Sequence, residues 1–156
     1  MGGAYLDTGV LIKLYIFEPG SGFVQKRVRQ NGPLLLNRLQ ETELRNGVLA
    51  SAGRGLISSS ALGKTLAHFA EDREAGRFSW EELVWESLWD RAQQLAERFT
   101  PRFLCRTLDI LHVAAAEQSG AEVFFTGDAR QERLARAVGL RVLKLPQASP
   151  TKRAGP

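Results

Sequence analysis

The chain of 156 residues contains one cysteine (Cys105), two histidines (His68 and His112) and one methionine. A single cysteine excludes an internal disulfide and a Cys-rich metal centre. Neither histidine has a partner at a zinc-like spacing. No apolar run approaches the roughly 20 residues a membrane-spanning helix needs. The N-terminus lacks a basic segment followed by an apolar one, so no secretory leader is expected. Basic residues are scattered, and the only compact cluster is Lys152-Arg153. The formal net charge of +4 is compatible with a polyanionic partner but does not specify one. Gly53-Arg54-Gly55 is no phosphate loop, because no strand precedes it and no Gly-Lys-Ser/Thr follows. Internal repeats and low-complexity segments are also lacking. With 44% apolar and 24% charged residues, the chain is ordinary for a folded protein. One domain over residues 1–145, a loose tail over 146–156, no membrane contact and a cytoplasmic location are the expectations.

Apolar runs of two kinds alternate along the chain. Ala4 to Leu6 reads as a strand stopping at Asp7-Thr8, and Leu11, Ile12, Leu14 and Tyr15 follow at helical spacing. Phe23 to Arg29 reads as a second helix with Ser21 as its N-cap. Leu34 to Leu36 is a second strand after the turn Asn31-Gly32-Pro33. Leu39, Glu43, Asn46, Gly47 and Ala50 then share a helical face that is expected to turn inward. Ser58 to Ser60 open a helix that places Leu62, Leu66, Phe69 and Ala70 inward and closes at Gly76. Phe78 to Trp85 reads as a short strand or as the start of the next helix, Ser87 to Phe99, which Thr100-Pro101 should end. Trp80, Trp85 and Trp89 read as core packing, with a subunit interface as the alternative. Thr107 opens a helix, Val123 to Phe125 is a buried strand ending in Thr126-Gly127-Asp128, a helix follows to Gly139, and Arg141 to Leu145 is the last strand. Strands alternating with helices imply an α/β fold with a mostly parallel central sheet and helices on both faces.

Four acids stand at the junctions of this pattern. Singly, each has a local explanation. Asp7 and Asp128 can cap helices, the latter with Gln131 completing a capping box. Asp109 in a first turn complements the helix dipole. Glu43 can be a solvated helical acid. Jointly they are harder to dismiss. A parallel sheet would set Asp7 and Asp128 side by side at strand ends, where ligands bind in such folds. Converging carboxylates repel unless a cation or protons neutralise them. With no His or Cys set beside them, oxygen ligation of Mg²⁺ or Mn²⁺ is the chemical match. Such a metal activates water and stabilises charge on a phosphodiester. His112, three residues after Asp109, reads as a hydrogen-bonded packing residue rather than a general base. His68 reads as structural and Cys105 as a small buried residue.

Four blocks in order make the chain resemble PIN-domain proteins, and specifically the VapC-type toxins. They are Tyr5-Leu6-Asp7-Thr8 with Leu11 to Tyr15, Glu43-Leu44-Arg45-Asn46, Arg106 to Ala114 around Asp109, and Phe125-Thr126-Gly127-Asp128 with Leu134-Ala135 and Gly139-Leu140. The resemblance implies a PIN-like three-layer α/β/α fold and a magnesium-dependent endoribonuclease toxin of a type II toxin–antitoxin pair. It implies an RNA substrate, a homodimer and a cognate antitoxin. Asp7, Glu43, Asp109 and Asp128 would be the catalytic and metal-holding acids, with Thr8 and Thr126 as supporting hydroxyls. Family members often carry Ser where this chain has Gly9. Glu41 competes for the role given to Glu43.

A silent PIN-like module binding RNA or protein is the alternative, and four mutually repelling acids argue against it. A phosphatase would want an Asp-x-Asp turn, but position 9 is Gly9. A receiver domain would want an acid pair near its start, which is missing.

Overall fold

The computed structural model describes residues 2–146, so the expected loose tail lies outside the described residues beyond Pro146. Among the described residues five short strands form one wholly parallel sheet. They are β1 (Ala4–Leu6), β2 (Leu34–Leu36), β3 (Phe78–Trp80), β4 (Val123–Thr126) and β5 (Arg141–Lys144), in the spatial order β3-β2-β1-β4-β5. Between them run α1 (Thr8–Ile12), α2 (Ser21–Val28), α3 (Arg38–Gly53), α4 (Ser59–Glu74), α5 (Trp85–Phe103), α6 (Thr107–Gln118) and α7 (Ala129–Ala137). No helix among the described residues is long and apolar enough to cross a membrane.

Both faces of the sheet are buried, and strand alternation sorts the core into two halves. Tyr5, Leu35 and Phe124 face one way and pack with Leu88, Leu95, Ile110, Val113 and Leu134 from α5, α6 and α7. Ala4, Leu6, Leu36, Val123 and Phe125 face the other way and meet Val10, Val24, Leu44, Val48 and Phe69 from the first four helices. The result is the expected α/β/α layering. Leu44 is 1% exposed at the centre of the second half. Leu44→Ala should therefore cost roughly 2–5 kcal/mol, read as a lower urea midpoint with an unchanged slope.

Local departures from the sequence reading have physical causes. The buried stripe of α3 is Gln40, Leu44 and Val48, not Leu39, Asn46 and Ala50. Gln40 is drawn inward because its side chain closes a capping box with Asn37 and donates to Leu6 O at 2.8 Å. Ser21 is not the cap of α2. Gly20 takes that place at φ 94°, while Ser21 Oγ accepts from Glu18 N at 3.0 Å. Thr100-Pro101 does not end α5, which runs on to Phe103. Proline forfeits only the bond to Glu97 O, and the helix closes when Leu104 turns left-handed at φ 53° and its N–H bonds Thr100 O at 2.8 Å. Core packing fails for Trp85 and Trp89, which are 41% and 45% exposed beside the buried stripe Leu88, Ala92, Leu95 and Phe99. Trp80 is half-buried under the Arg73 guanidinium.

The sheet order positions the site. From β1 the chain progresses outward through β2 to β3, then returns and progresses the other way through β4 to β5. The direction reverses between β1 and β4. Helices on either side of that point diverge and leave a crevice beyond the carboxyl ends of the strands. Asp7 follows β1 directly, and Gly127-Asp128 follow β4.

Candidate active site

A cavity of about 670 Å³ occupies that crevice, and Asp7, Glu43, Asp109 and Asp128 all line it. Asp7 and Thr126 are neighbours because β1 and β4 pair with Leu6 opposite Phe125, and Asp7 N donates to Phe125 O at 3.0 Å. Asp7 caps α1 by accepting from Val10 N at 2.7 Å, while its other oxygen accepts from the Thr126 hydroxyl. It is 5% exposed, and among the described residues no Lys or Arg pairs with it. Burial pushes its carboxyl above the ordinary range, against the pull of the Thr126 and Val10 donors and of His112.

Asp109 folds back on its own helix start, accepting from Arg106 N at 2.8 Å. Its second oxygen accepts from Gln131 Nε2 at 3.1 Å. Asp128 caps α7 through Arg130 N at 2.7 Å and Gln131 N at 3.3 Å. Asp7 and Asp128 thus cap helices and Asp109 sits at a helix start, and none of these local roles competes with a role in the cavity. The expected capping box of Asp128 with Gln131 is not formed, because the Gln131 side chain is spent on Asp109 and Thr126. Burial alone would raise the Asp128 carboxyl, but the Arg130 guanidinium and the backbone donors hold it below the usual range.

Glu43 reaches the cavity from α3, where Thr8 Oγ1 donates to it at 2.7 Å. His112 Nε2 also meets its carboxylate, and His112 Nδ1 lies 2.9 Å from the Tyr5 hydroxyl. Burial opposes ionisation of Glu43, but His112 and Thr8 outweigh it and hold the carboxyl low. Glu41 is spent elsewhere, pairing with Arg45 at 3.1 Å and Arg73 at 3.0 Å. His112 is the buried hydrogen-bonded residue expected, yet it also orients a site acid. Its only sequence signal was its position one turn after Asp109. Gly9 lines the cavity too, and a Cβ built on it would meet only Asp7 Oδ1, at 3.6 Å, so the serine-sized space is open.

Arg130 is the residue that sequence reasoning missed. Its Nη2 lies 2.8 Å from Asp128 Oδ2 and its Nε 3.4 Å from Asp109 Oδ2, so one guanidinium spans two of the four acids. As the side chains stand, no three His, Cys, Asp or Glu among the described residues are grouped to hold a metal ion. The donor set nevertheless fits a hard divalent cation. It is all carboxylate oxygen, it lines one cavity, and it includes a buried aspartate without a cationic partner.

The sequence profile described as PIN domain matches residues 4–137, most of the chain and all four acids. The chain belongs to the PIN-domain family. Among curated relatives, this PIN domain is 28% identical over 145 residues to ribonuclease VapC46 of Mycobacterium tuberculosis, covering 92% of this chain and 98% of the relative. Among solved structures it resembles VapBC2 of Rickettsia felis bound to a promoter DNA fragment, with a TM-score of 0.63 at 13% identity. That match covers 90% of this chain and 97% of the other. FitAcB of Neisseria gonorrhoeae gives a TM-score of 0.58 at 20% identity over 90% and 96% of the two chains. At these identities the two structures speak for the PIN fold alone.

Proposed function

We propose that this PIN domain is a metal-dependent endoribonuclease, the toxin of a type II toxin–antitoxin pair, cleaving RNA phosphodiesters at the four-carboxylate cavity. The observation that carries the reading is that Asp7, Glu43, Asp109 and Asp128 line one crevice at the reversal point of a parallel sheet. The relative named a ribonuclease spans nearly the whole chain. Asp7, Asp109 and Asp128 would hold Mg²⁺ or Mn²⁺, with Glu43 assisting. When bound, such an ion supplies Lewis acidity and lowers the pKa of its water.

The chain's own residues supply positioning. Thr126 and Val10 N fix Asp7, and Gln131 and Arg106 N fix Asp109. His112 and Thr8 aim Glu43. A cognate antitoxin is the proposed partner, as the likeness to VapC-type proteins implies. The exposed Val84, Trp85 and Trp89 offer an apolar patch suited to a homodimer.

The test is RNA cleavage by the purified chain free of antitoxin, with Mg²⁺ or EDTA, for the native protein and for Asp7→Asn and Asp109→Asn. Cleavage should vanish with EDTA and fall at least about 100-fold in each folded variant. Equal cleavage by the variants would remove these acids from the mechanism.

A further inference from the structure

A second cavity, of about 450 Å³, adjoins the acid cavity and shares Asp128 and Arg130 with it as a common wall. Its far side is built from the end of α5 and the first turns of α7 and carries Arg102, Phe103 and Arg133. Arg102 and Arg133 are exposed, and among the described residues neither forms a salt bridge. Arg98 on α5 is likewise without a salt bridge among the described residues and lies over the Phe99 ring at 5.0 Å, but it does not line the groove, and two other arginines of these helices are paired. Arg91 on α5 pairs with Glu117 at 2.8 Å, and Arg136 on α7 pairs with Glu132 at 3.3 Å.

The two free guanidiniums are held in place without an acid. Arg102 lies over the Phe103 ring at 5.4 Å and Arg133 at 6.0 Å from its centroid. Phe103 is itself stacked on Phe99, with ring centroids 5.7 Å apart and planes within 7°. Arg133 Nε also donates to Ala129 O at 3.1 Å. A guanidinium over an aromatic face keeps in-plane donors for phosphate oxygens, and in Arg133 the terminal amino groups remain for that role. On the other side Arg106 lines the acid cavity, and it too lacks a carboxylate partner among the described residues. Unpaired positive charge thus continues from the acid cavity into the groove beside it. The exposed Leu104, at the turn between Phe103 and Arg106, adds an apolar surface that an unstacked base could cover.

We propose that single-stranded RNA leaves the acid cavity along this groove, with Arg102 and Arg133 binding backbone phosphates next to the scissile one. The proposal rests on the nuclease reading and adds the direction of the strand across the surface. RNA is favoured over an acidic protein segment because the groove lies directly beside the acid cavity and shares Asp128 and Arg130 with it.

The test is fluorescence anisotropy with a labelled single-stranded RNA of about 12 nucleotides in EDTA, so that binding is read without cleavage. The full-length protein is compared with the double variant Arg102→Gln/Arg133→Gln. The control is Arg27→Gln/Arg29→Gln, which makes the same charge change at the C-terminal end of α2 across the sheet. The groove variant should weaken binding at least about tenfold. Its salt dependence should fall by about 1.4 in the log–log slope, for two phosphates at about 0.7 each. The control should change affinity less than about twofold.

Equal losses in both pairs, or none in the groove pair, would overturn the proposal. So would a groove variant that spares RNA and loses binding of a poly-glutamate peptide, which would make the groove a protein-docking surface. Native protein that cleaves RNA with Mg²⁺ while the groove pair binds normally would leave the nuclease reading standing and remove the groove alone. Native protein that neither binds nor cleaves RNA would overturn both.

Discussion

Asp7→Asn is expected to make the metal-free protein more stable by on the order of 1–2 kcal/mol, in the same variant that loses cleavage. Asp7 is buried at 5% exposure, and its oxygens face a hydroxyl and a backbone N–H rather than a cation. Burial raises its folded-state pKa. At low pH, below the unfolded value of 3.8, both states are protonated and the acid costs nothing. As pH rises, the unfolded chain ionises first and gains stability relative to the folded one. The penalty grows until the folded carboxyl also ionises, and stays constant above that point.

The advantage of Asn should therefore be absent near pH 3 and largest at neutral pH. Asparagine keeps the Val10 acceptor, and its amide can donate to Thr126 Oγ1, which can turn its proton toward Gln131 Oε1 at 3.2 Å. Urea unfolding of both proteins in EDTA across pH measures the effect. Added Mg²⁺ should then narrow the gap, because it stabilises only the protein that binds it. An Asp7→Asn protein that is less stable in EDTA at neutral pH would mean that the ionised carboxylate is already compensated.

The same residues show what the sequence could and could not convey. Asp7 and Asp128 were legible because an apolar run breaks into a polar turn at each, and such breaks mark strand ends in any parallel sheet. That β1 and β4 are adjacent is what makes those breaks a site, and it emerged as expected. Glu43 lines the cavity, but the helical face on which it was chosen does not account for its placement. Its face of α3 is only partly buried, and its placement depends on His112, which lies 69 positions away in the chain. Gln131 was assigned to a local capping box that tertiary structure overrides, since its Nε2 donates to the buried Asp109 carboxylate and the Asp128 N–H that it would have accepted from donates to Thr126 Oγ1 instead. Pro101 was read as a stop because its interior cost is real. Only one turn of α5 remained to be paid for, and the left-handed Leu104 supplied the true end. Arg130 carried no signal beyond its place two residues after a helix cap, and local pattern does not report which of several arginines spans two carboxylates.

Arg130→Gln is expected to raise the affinity for Mg²⁺ or Mn²⁺ by about tenfold. In the metal-free protein the guanidinium lies 2.8 Å from Asp128 and 3.4 Å from Asp109, between two acids assigned to the metal. An ion entering there must break both contacts or share the carboxylates with a positive neighbour, and either lowers its affinity. Glutamine removes the charge and leaves Asp109 and Asp128 with Gln131, Arg106 N and the α7 backbone as donors. Two carboxylates then repel more strongly, which destabilises the empty site and favours any cation that fills it. Arg106→Gln is the control, since Arg106 lines the same cavity and changes the net charge equally but forms no salt bridge among the described residues. Its affinity should rise less than about threefold, the share due to long-range charge alone. Isothermal titration with Mn²⁺ at fixed ionic strength separates the two. Equal gains would reduce Arg130 to one positive charge among several, and weaker binding by Arg130→Gln would mean that Arg130 organises the acids for the metal instead of competing with it.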